Sequence, residues 1–545
     1  MQNNVRKNKG TSHPKRVGWC FCLRYNLVAM NYNTQEQCNL IERNGQLVIS
    51  LNIEKMIPEN ASVRLADAQL EELDYRKLYE AYSPIGRKSA ADPRVMFKVM
   101  VYGYLCQIYS SRKLEEACRY RIDFLWLLEG EPVPDHATFA RFRTGRCSDA
   151  VEELFYQYVR LLEEQGETDH ETVFIDGTKL ESAAGRYTFV WRKPTEKHLA
   201  KVKEKVEAAL SIHTLPELEQ YLEEAAEGIA FVYGKGRHKS EEQKEWETLD
   251  SLRCRWKEYE EKLERMGESR NSYSKTDPDA TFMRMKDDHM RNGQLKPGYN
   301  VQIAVNSEYI TGIDAFSNRT DYGTLVPFLR TLQQKHGGKY DSVTADAGYE
   351  RLGNYLFLES NGQMSFIKPA NHEQRKHRKF KKQIGRMENM TYDADEDCFL
   401  CTQGRRLPLR RECTELQDGC FVTTARYRCE DCRGCPVRAQ CCQAKDPEQP
   451  KELRVNKTLQ HLRNQSLRNI TSEKGIYLRI CRSIQVEGAF GLLKTDFGFR
   501  RFLTRGKAKI RSELFFLALA FDLKKLWMKR ENGRLQTHLS RLKAA

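Results

Sequence analysis

The sequence predicts an α/β protein, a mixed sheet with helices packed against it. Val173-Phe174-Ile175 runs straight into Asp176-Gly177, the pattern of a buried strand that ends on a carboxylate with a turn beyond. The pattern recurs at Val343-Thr344-Ala345-Asp346, with Gly348 two residues on. Around these stretches, segments of period two alternate with segments of helical period. A buried aspartate is costly unless paired, although a lone strand-end Asp can simply cap a turn. Two such strands side by side present both carboxylates at one sheet edge. Hard oxygen ligands held together suit Mg2+ or Mn2+.

The 545 residues are enough for several domains and a large core. Hydrophobic content is 40% and charged content 30%, the balance of a soluble chain. No apolar run approaches the length of a membrane span. The 90 Lys and Arg outnumber the 75 Asp and Glu, and the net charge of +15 favours a polyanionic partner. Residues 451–545 hold 22 Lys/Arg against 7 Asp/Glu, the equivalent of the whole excess. The N-terminus lacks the apolar run and cleavage site of a secretory signal, so a cytoplasmic, nucleoid-associated location is expected.

In chain order, residues 1–30 read as a basic tail, and Met30 would serve equally well as a start. Leu47–Ile57 alternates like a strand. Leu65–Tyr79 and the segment opened by Asp92-Pro93 have helical spacing, and Ser111 can cap the next helix. After Pro132 and Pro134, Asp135 caps a short helix bearing His136, Thr138 and Arg141. Three short helices with a basic last member resemble a helix-turn-helix unit, although Arg-rich helices also occur on ordinary surfaces. Residues 31–165 therefore form an expected all-helical N-terminal domain, with His136, Thr138 and Arg141 as base readers.

The first part of the catalytic domain is expected at 170–193, including a strand over Tyr187–Lys193. A helical insertion follows at 194–275, read as an antiparallel pair. The second catalytic part, 276–370, contains a hairpin of Gly298–Val305 and Tyr309–Phe316, a helix over Thr320–His336, the Asp346 strand, a helix over Leu352–Ser360 and a strand at Met364–Ile367.

Residues 371–450 read as a basic and Cys-rich insertion. Arg375, Lys376, Arg378, Lys379, Lys381, Lys382 and Arg386 repel one another unless solvent or phosphate relieves them. Of 17 cysteines, nine lie between Cys398 and Cys442. In a reducing compartment such spacing suits a structural zinc site better than disulfides, and the ligand set chosen is Cys401, Cys432, Cys435 and Cys441. Buried free thiols are the alternative. The last catalytic part is 451–530, followed by a basic tail at 531–545. Ser483–Lys494 has helical spacing and places Glu487, Phe490 and Lys494 on one face. Glu487 could complete a three-acid metal site, although a surface Glu–Lys pair reads equally from the stretch alone.

Several stretches together resemble bacterial insertion-sequence transposases of the DDE class. They are Pro134-Asp-His-Ala-Thr-Phe-Ala-Arg-Phe-Arg143, Ile175-Asp-Gly-Thr-Lys179, Phe189-Val-Trp-Arg-Lys193, Pro297-Gly-Tyr-Asn-Val-Gln302, Ala345-Asp-Ala-Gly-Tyr349, Cys432-Arg-Gly-Cys-Pro436 and Glu487-Gly-Ala-Phe-Gly-Leu-Leu-Lys494. The resemblance runs from about Asn31 to Lys525. It implies a ribonuclease-H-like mixed sheet with flanking helices, and Asp176, Asp346 and Glu487 as the metal-binding catalytic triad. Expected phosphate contacts are Lys494, Arg482, Arg501, Arg505, Lys379, Lys381 and Lys382. Relatives place an arginine four residues before the glutamate, where this chain has Ser483, with Arg482 one position earlier.

The implied activity is cleavage at element ends followed by transfer of the freed 3′-hydroxyl to target DNA. The implied partners are double-stranded DNA with terminal inverted repeats, target DNA and a second copy of the chain on DNA. Alternatives are a metal-dependent nuclease without strand transfer, or a domesticated DNA-binding protein without catalysis.

Overall fold

The structure, a computed structural model, describes residues 52–539 apart from 83–88, 235–237, 269, 286–292, 418–419, 443, 445 and 447, together with short strands at 25–27 and 47–49. Most of the expected 1–30 tail, and residues 540–545 of the other, lie outside the described residues. Strand β1 (Tyr25–Leu27) pairs antiparallel with β2 (Leu47–Ile49). The strand expected over Leu47–Ile57 gives way to a helical turn at Ile53–Met56, where the Asn52 side chain accepts from the Lys55 amide.

The N-terminal region is helical. Helix Pro93–Leu105 starts with proline in its first turn and with Asp92 accepting from the Arg94 amide at 2.8 Å. Its flanks are buried nearly all round, the mark of a helix inside a core. Ser110, not Ser111, holds the cap position of helix Ser111–Tyr120, with no side-chain cap bond. Helix Lys507–Glu531 runs through the centre. Phe516 packs on Phe97 and Tyr104, with centroids 5.7 and 5.6 Å apart, and Phe515 packs on Phe155 of helix Val151–Glu164 at 5.4 Å. Apolar residues of the N-terminal helices, the sheet and this helix thus share one continuous core.

The sheet is built on β3 (Thr172–Glu181). A ribbon of β4 (Phe189–Trp191) and β5 (Ser272–Ser274) follows, then β6 (Thr281–Arg284), β7 (Leu295–Asn306), β8 (Tyr309–Phe316), β9 (Ser342–Ala345) and β10 (Met364–Ile367). The strand order is β10-β9-β3-β7-β6, with β8 also paired to β7. Strands β10, β9 and β3 are parallel, whereas β7 is antiparallel to β3, β6 and β8. The expected mixed sheet is therefore observed. The helix expected from Thr320 begins at Leu325, after a tight turn at Asp321–Gly323.

The helical insertion holds three helices rather than two: Arg192–Leu210, Leu215–Glu227 and Glu241–Met266. They pack around Val202, Val206, Leu218, Leu222 and Trp256. The middle helix has a capping box between Thr214 and Glu217, with Pro216 in its first turn.

The basic and Cys-rich stretch forms a second, antiparallel sheet, in the order β11 (Thr391–Asp393), β12 (Cys398–Leu400), β13 (Arg406–Gln417), β14 (Cys420–Arg428) and β15 (Glu452–Asn456). Its own core contains Met390, Phe399, Leu407, Ala425, Tyr427, Leu453 and Val455. This corrects the expected zinc-built insertion. Cys401, Cys432, Cys435 and Cys441 line one small pocket with Cys429 and Cys442. Among the described residues, however, no three of these sulfurs lie within 4.8 Å of one another. Apolar packing and strand pairing account for the order of the segment.

Candidate active site

Strands β3 and β9 run in parallel register, with Ile175 opposite Ala345. Asp346 follows the last residue of β9, whereas Asp176 lies midway along β3, which does not turn at Gly177 as expected but runs on to Glu181 paired with β7. The two aspartates follow directly on the paired residues Ile175 and Ala345. Asp176 is 8% exposed, and its Oδ1 accepts from the Gly177 amide at 2.8 Å. Asp346 caps the turn Ala347–Tyr349, its Oδ1 accepting from the Gly348 amide at 2.8 Å.

Glu487 comes from a helical run that packs on β3 and β7. This run is not uniformly α-helical: Ser483–Glu487 and Leu492–Asp496 are π turns flanking Gly488–Gly491. The one-face expectation for Glu487, Phe490 and Lys494 assumed α geometry and fails. The Glu487 side chain is 62% exposed, whereas Phe490 is buried in the core. Lys494 is half-buried, and its carbonyl accepts from Arg500 Nε.

The π turn also explains the displaced arginine. In an i→i+5 turn the hydrogen-bonded neighbour lies five positions back rather than four. Arg482 is five residues before Glu487, and its Nη2 lies 3.8 Å from Glu487 Oε1. Its Nη1 lies 3.2 Å from Asp176 Oδ2. The guanidinium thus stands between the first and third acids. Among the described residues, the oxygens of Asp176, Asp346 and Glu487 do not close to within 4.8 Å of one another.

A fourth carboxylate, absent from the sequence expectation, belongs to the same cluster. Asp321 Oδ1 accepts from Asn300 Nδ2 and Gln302 Nε2, each at 2.8 Å. Gln302 Oε1 in turn accepts from the Tyr349 hydroxyl. Asn300 and Gln302 sit two apart on β7 and share one face. A side chain at Gly177 would collide with Asp321 and Gln302. A Cβ at Gly348 would lie 3.0 Å from Asp346 Oδ1 and 3.5 Å from Asp321 Oδ2, so both carboxylates face one small space. Burial pushes the Tyr349 hydroxyl well above its ordinary range, and the charges of Asp321, Asp176 and Asp346 add to this while Arg482 opposes it. Three carboxylates and one guanidinium therefore bear electrostatically on this tyrosine. The all-oxygen donor set, with glycines keeping the space clear, fits Mg2+ or Mn2+.

The remaining expected contact residues are dispersed. Lys379, Lys381 and Lys382 are exposed on and just after the turn of helix Arg378–Lys381. Arg501 donates to the carbonyls of Ser182 and Ala184, and Arg505 to that of Ala183, so both hold the chain just after β3. On helix His136–Arg141, Asp135 caps the Thr138 amide at 2.7 Å and Arg141 Nη2 donates to Thr138 Oγ1 at 3.2 Å. His136 Nδ1 lies 2.8 Å from Glu115 Oε2. Thr138 and Arg141 thus arrive as a pair, with Arg141 exposed.

Two other clusters of described residues bring three possible metal ligands within 4.8 Å: Glu163 with His170 and His336, and Asp67 with Glu71 and Glu129. The second already holds Lys98, whose Nζ lies 2.6 Å from Asp67 and 2.8 Å from Glu129. No helix among the described residues is long and apolar enough to cross a membrane.

A ribonuclease-H-like mixed sheet that brings Asp176 and Asp346 together from adjacent parallel strands is the arrangement of DDE-type sites. Comparison with protein families agrees: residues 400–527 match the family described as Transposase DDE domain, and residues 51–145 match the Transposase domain (DUF772). The chain carries both transposase-family domains, one at each end. The first match contains Glu487, Lys494 and Arg482, and the second contains His136, Thr138 and Arg141. Comparison with curated proteins finds no match.

Proposed function

We propose that this protein is a DNA transposase that cleaves phosphodiesters at the ends of its element and transfers the freed 3′-hydroxyl to target DNA. The observation that carries this reading is the parallel register of β3 and β9, which sets Asp176 and Asp346 side by side with Glu487 close by through Arg482. The two transposase-family domains support it.

In this reading Asp176, Asp346 and Glu487 hold the catalytic Mg2+ or Mn2+. Bound there, the ions would stabilise charge on the entering and leaving oxygens of an in-line displacement. Arg482 neutralises Asp176 in the DNA-free protein and turns toward phosphate when DNA and metal arrive. Lys494 lies seven residues after Glu487 on the same helical run and contacts phosphate. Lys379, Lys381, Lys382, Arg501 and Arg505 supply further backbone contacts, and His136, Thr138 and Arg141 read bases. The partners are inverted-repeat end DNA, target DNA and a second copy of the chain. The domain divisions expected from sequence stand as part of this proposal.

The test is incubation of the protein with paired terminal-repeat DNAs, a target plasmid and Mg2+. Joined products are expected. Cleaved ends without joined products would favour the nuclease without strand transfer, and intact ends the non-catalytic DNA-binding protein.

A further inference from the structure

We propose that Glu163, His170 and His336 form a site for one transition-metal dication, separate from the acidic site. Their ligand atoms all lie within 4.8 Å of one another. Glu163 is in the last turn of helix Val151–Glu164, His170 precedes β3, and His336 ends helix Leu325–His336. The cluster sits at the beginning of the parallel strands β3 and β9, whereas Asp176 lies midway along β3 and Asp346 just past the end of β9. Six residues of extended chain, about 20 Å, separate His170 from Asp176.

The second observation is the state of His336. It is 6% exposed, and neither of its ring nitrogens has a hydrogen-bond partner. His170 Nδ1 is likewise buried without a partner, while its Nε2 lies 2.8 Å from Glu163 Oε1. The two rings meet edge to face with centroids 4.8 Å apart. Tyr340 packs against both rings, but its hydroxyl is spent on Thr311 at 2.9 Å. Buried polar atoms are nearly always paired, and an imidazole with both nitrogens idle is costly unless something binds it.

Two imidazoles and one carboxylate suit Zn2+ or its transition-metal neighbours rather than Mg2+, which prefers oxygen. Glu163 and His170 are each about one-third exposed, leaving solvent a place in the coordination sphere. The competing cation nearby, Arg160, is turned to the Lys335 carbonyl and to Glu153, each at 3.0 Å. A metal here would clamp two helix ends to the start of the sheet, where the Asp341 amide already donates to the His170 carbonyl at 2.9 Å.

The full-length protein, stripped with chelator and dialysed, is titrated with Zn2+ while bound metal and melting temperature are followed. Against the wild type, His336→Gln and His170→Gln are expected to lose about one equivalent of bound zinc per chain and the associated rise in melting temperature. Glu163→Gln, a change on a partly exposed helix end, guards against misfolding and is expected to weaken zinc binding at least about tenfold. Unchanged stoichiometry and affinity in the folded Glu163→Gln protein would overturn the site. Because the readout is metal binding, its failure leaves the transposase reading untouched.

Discussion

Arg482 is paired with Asp176 across 3.2 Å, although 306 residues separate them in the chain. The same guanidinium reaches toward Glu487, so a cation of the protein already neutralises part of the acid site. A divalent ion bound to these acids must share Asp176 with that arginine or displace it. Arg482→Gln is expected to raise the affinity of the DNA-free protein for Mn2+ by about tenfold, or about 1.4 kcal/mol of relieved repulsion and competition. It should also weaken DNA binding. Calorimetric titration with Mn2+ checks the first effect, and an unchanged or lower Mn2+ affinity would contradict it.

The Tyr349 hydroxyl satisfies Gln302 Oε1, and Gln302 Nε2 steadies Asp321. Tyr349 and Gln302 are buried, and Asp321, partly exposed, joins them to the acid cluster. Tyr349→Phe leaves the Gln302 carbonyl without its donor and is expected to cost about 1–3 kcal/mol. Urea unfolding should show a lower midpoint with the same slope. A midpoint equal to that of the wild type would show that the network does not support the fold.

Burial pushes the Asp522 carboxyl well above the usual carboxylate range, against the Ile310 amide and the Lys525 charge, which pull it down. Between the unfolded value, about 3.9, and the raised folded value, the folded protein keeps a proton that the unfolded chain has released. Stability contributed by this group is therefore present at low pH and lost as pH rises through that window, by up to about 1.4 kcal/mol per unit. Asp522→Asn keeps an oxygen for the Ile310 amide, which donates to Asp522 Oδ1 at 2.8 Å. The gain of this variant over the wild type should grow from pH 4 upward. A gain independent of pH, measured by unfolding across the range, would show that Asp522 is ionised in the fold.

Lys379, Lys381 and Lys382 are exposed, whereas Thr138 and Arg141 are tied together on a capped helix. Neutralising the three lysines should weaken end DNA and random DNA alike and reduce the slope of log affinity against log salt by up to about 3. Changing Thr138 and Arg141 should instead erode discrimination between the two DNAs. Salt titrations of both variants decide this. Lost discrimination with an unchanged slope in the lysine variant would reverse the assignment.

The acid-bearing strands were legible from their β-branched apolar runs, but only Asp346 stands at a strand end: β3 runs through Asp176-Gly177 to Glu181 because β7 pairs with it there, a long-range contact that no local residue announces. The β7–β8 hairpin and the strand at Met364–Ile367 were legible for the same local reason. Asp321 was not, since it lies in a loop and joins the site only through tertiary contacts with Asn300 and Gln302. Those two polar residues on one face of a buried strand were the available signal. The face of Glu487 was misjudged because nothing in Ser483–Lys494 announces i→i+5 bonding. In the insertions, local cues were outweighed. The Thr214–Glu217 capping box marks the extra helix, and the cysteines of 398–442 lie in a sheet whose longest strand, Arg406–Gln417, is mostly exposed and lacks the alternation that announces a strand.

The most direct test is divalent-dependent cleavage of end DNA by Asp176→Asn, Asp346→Asn and Glu487→Gln, alongside their binding to the same DNA. Each variant is expected to bind DNA while losing cleavage by about a thousandfold or more. Full cleavage by any one of these folded variants would contradict the assignment of the three acids to one catalytic site.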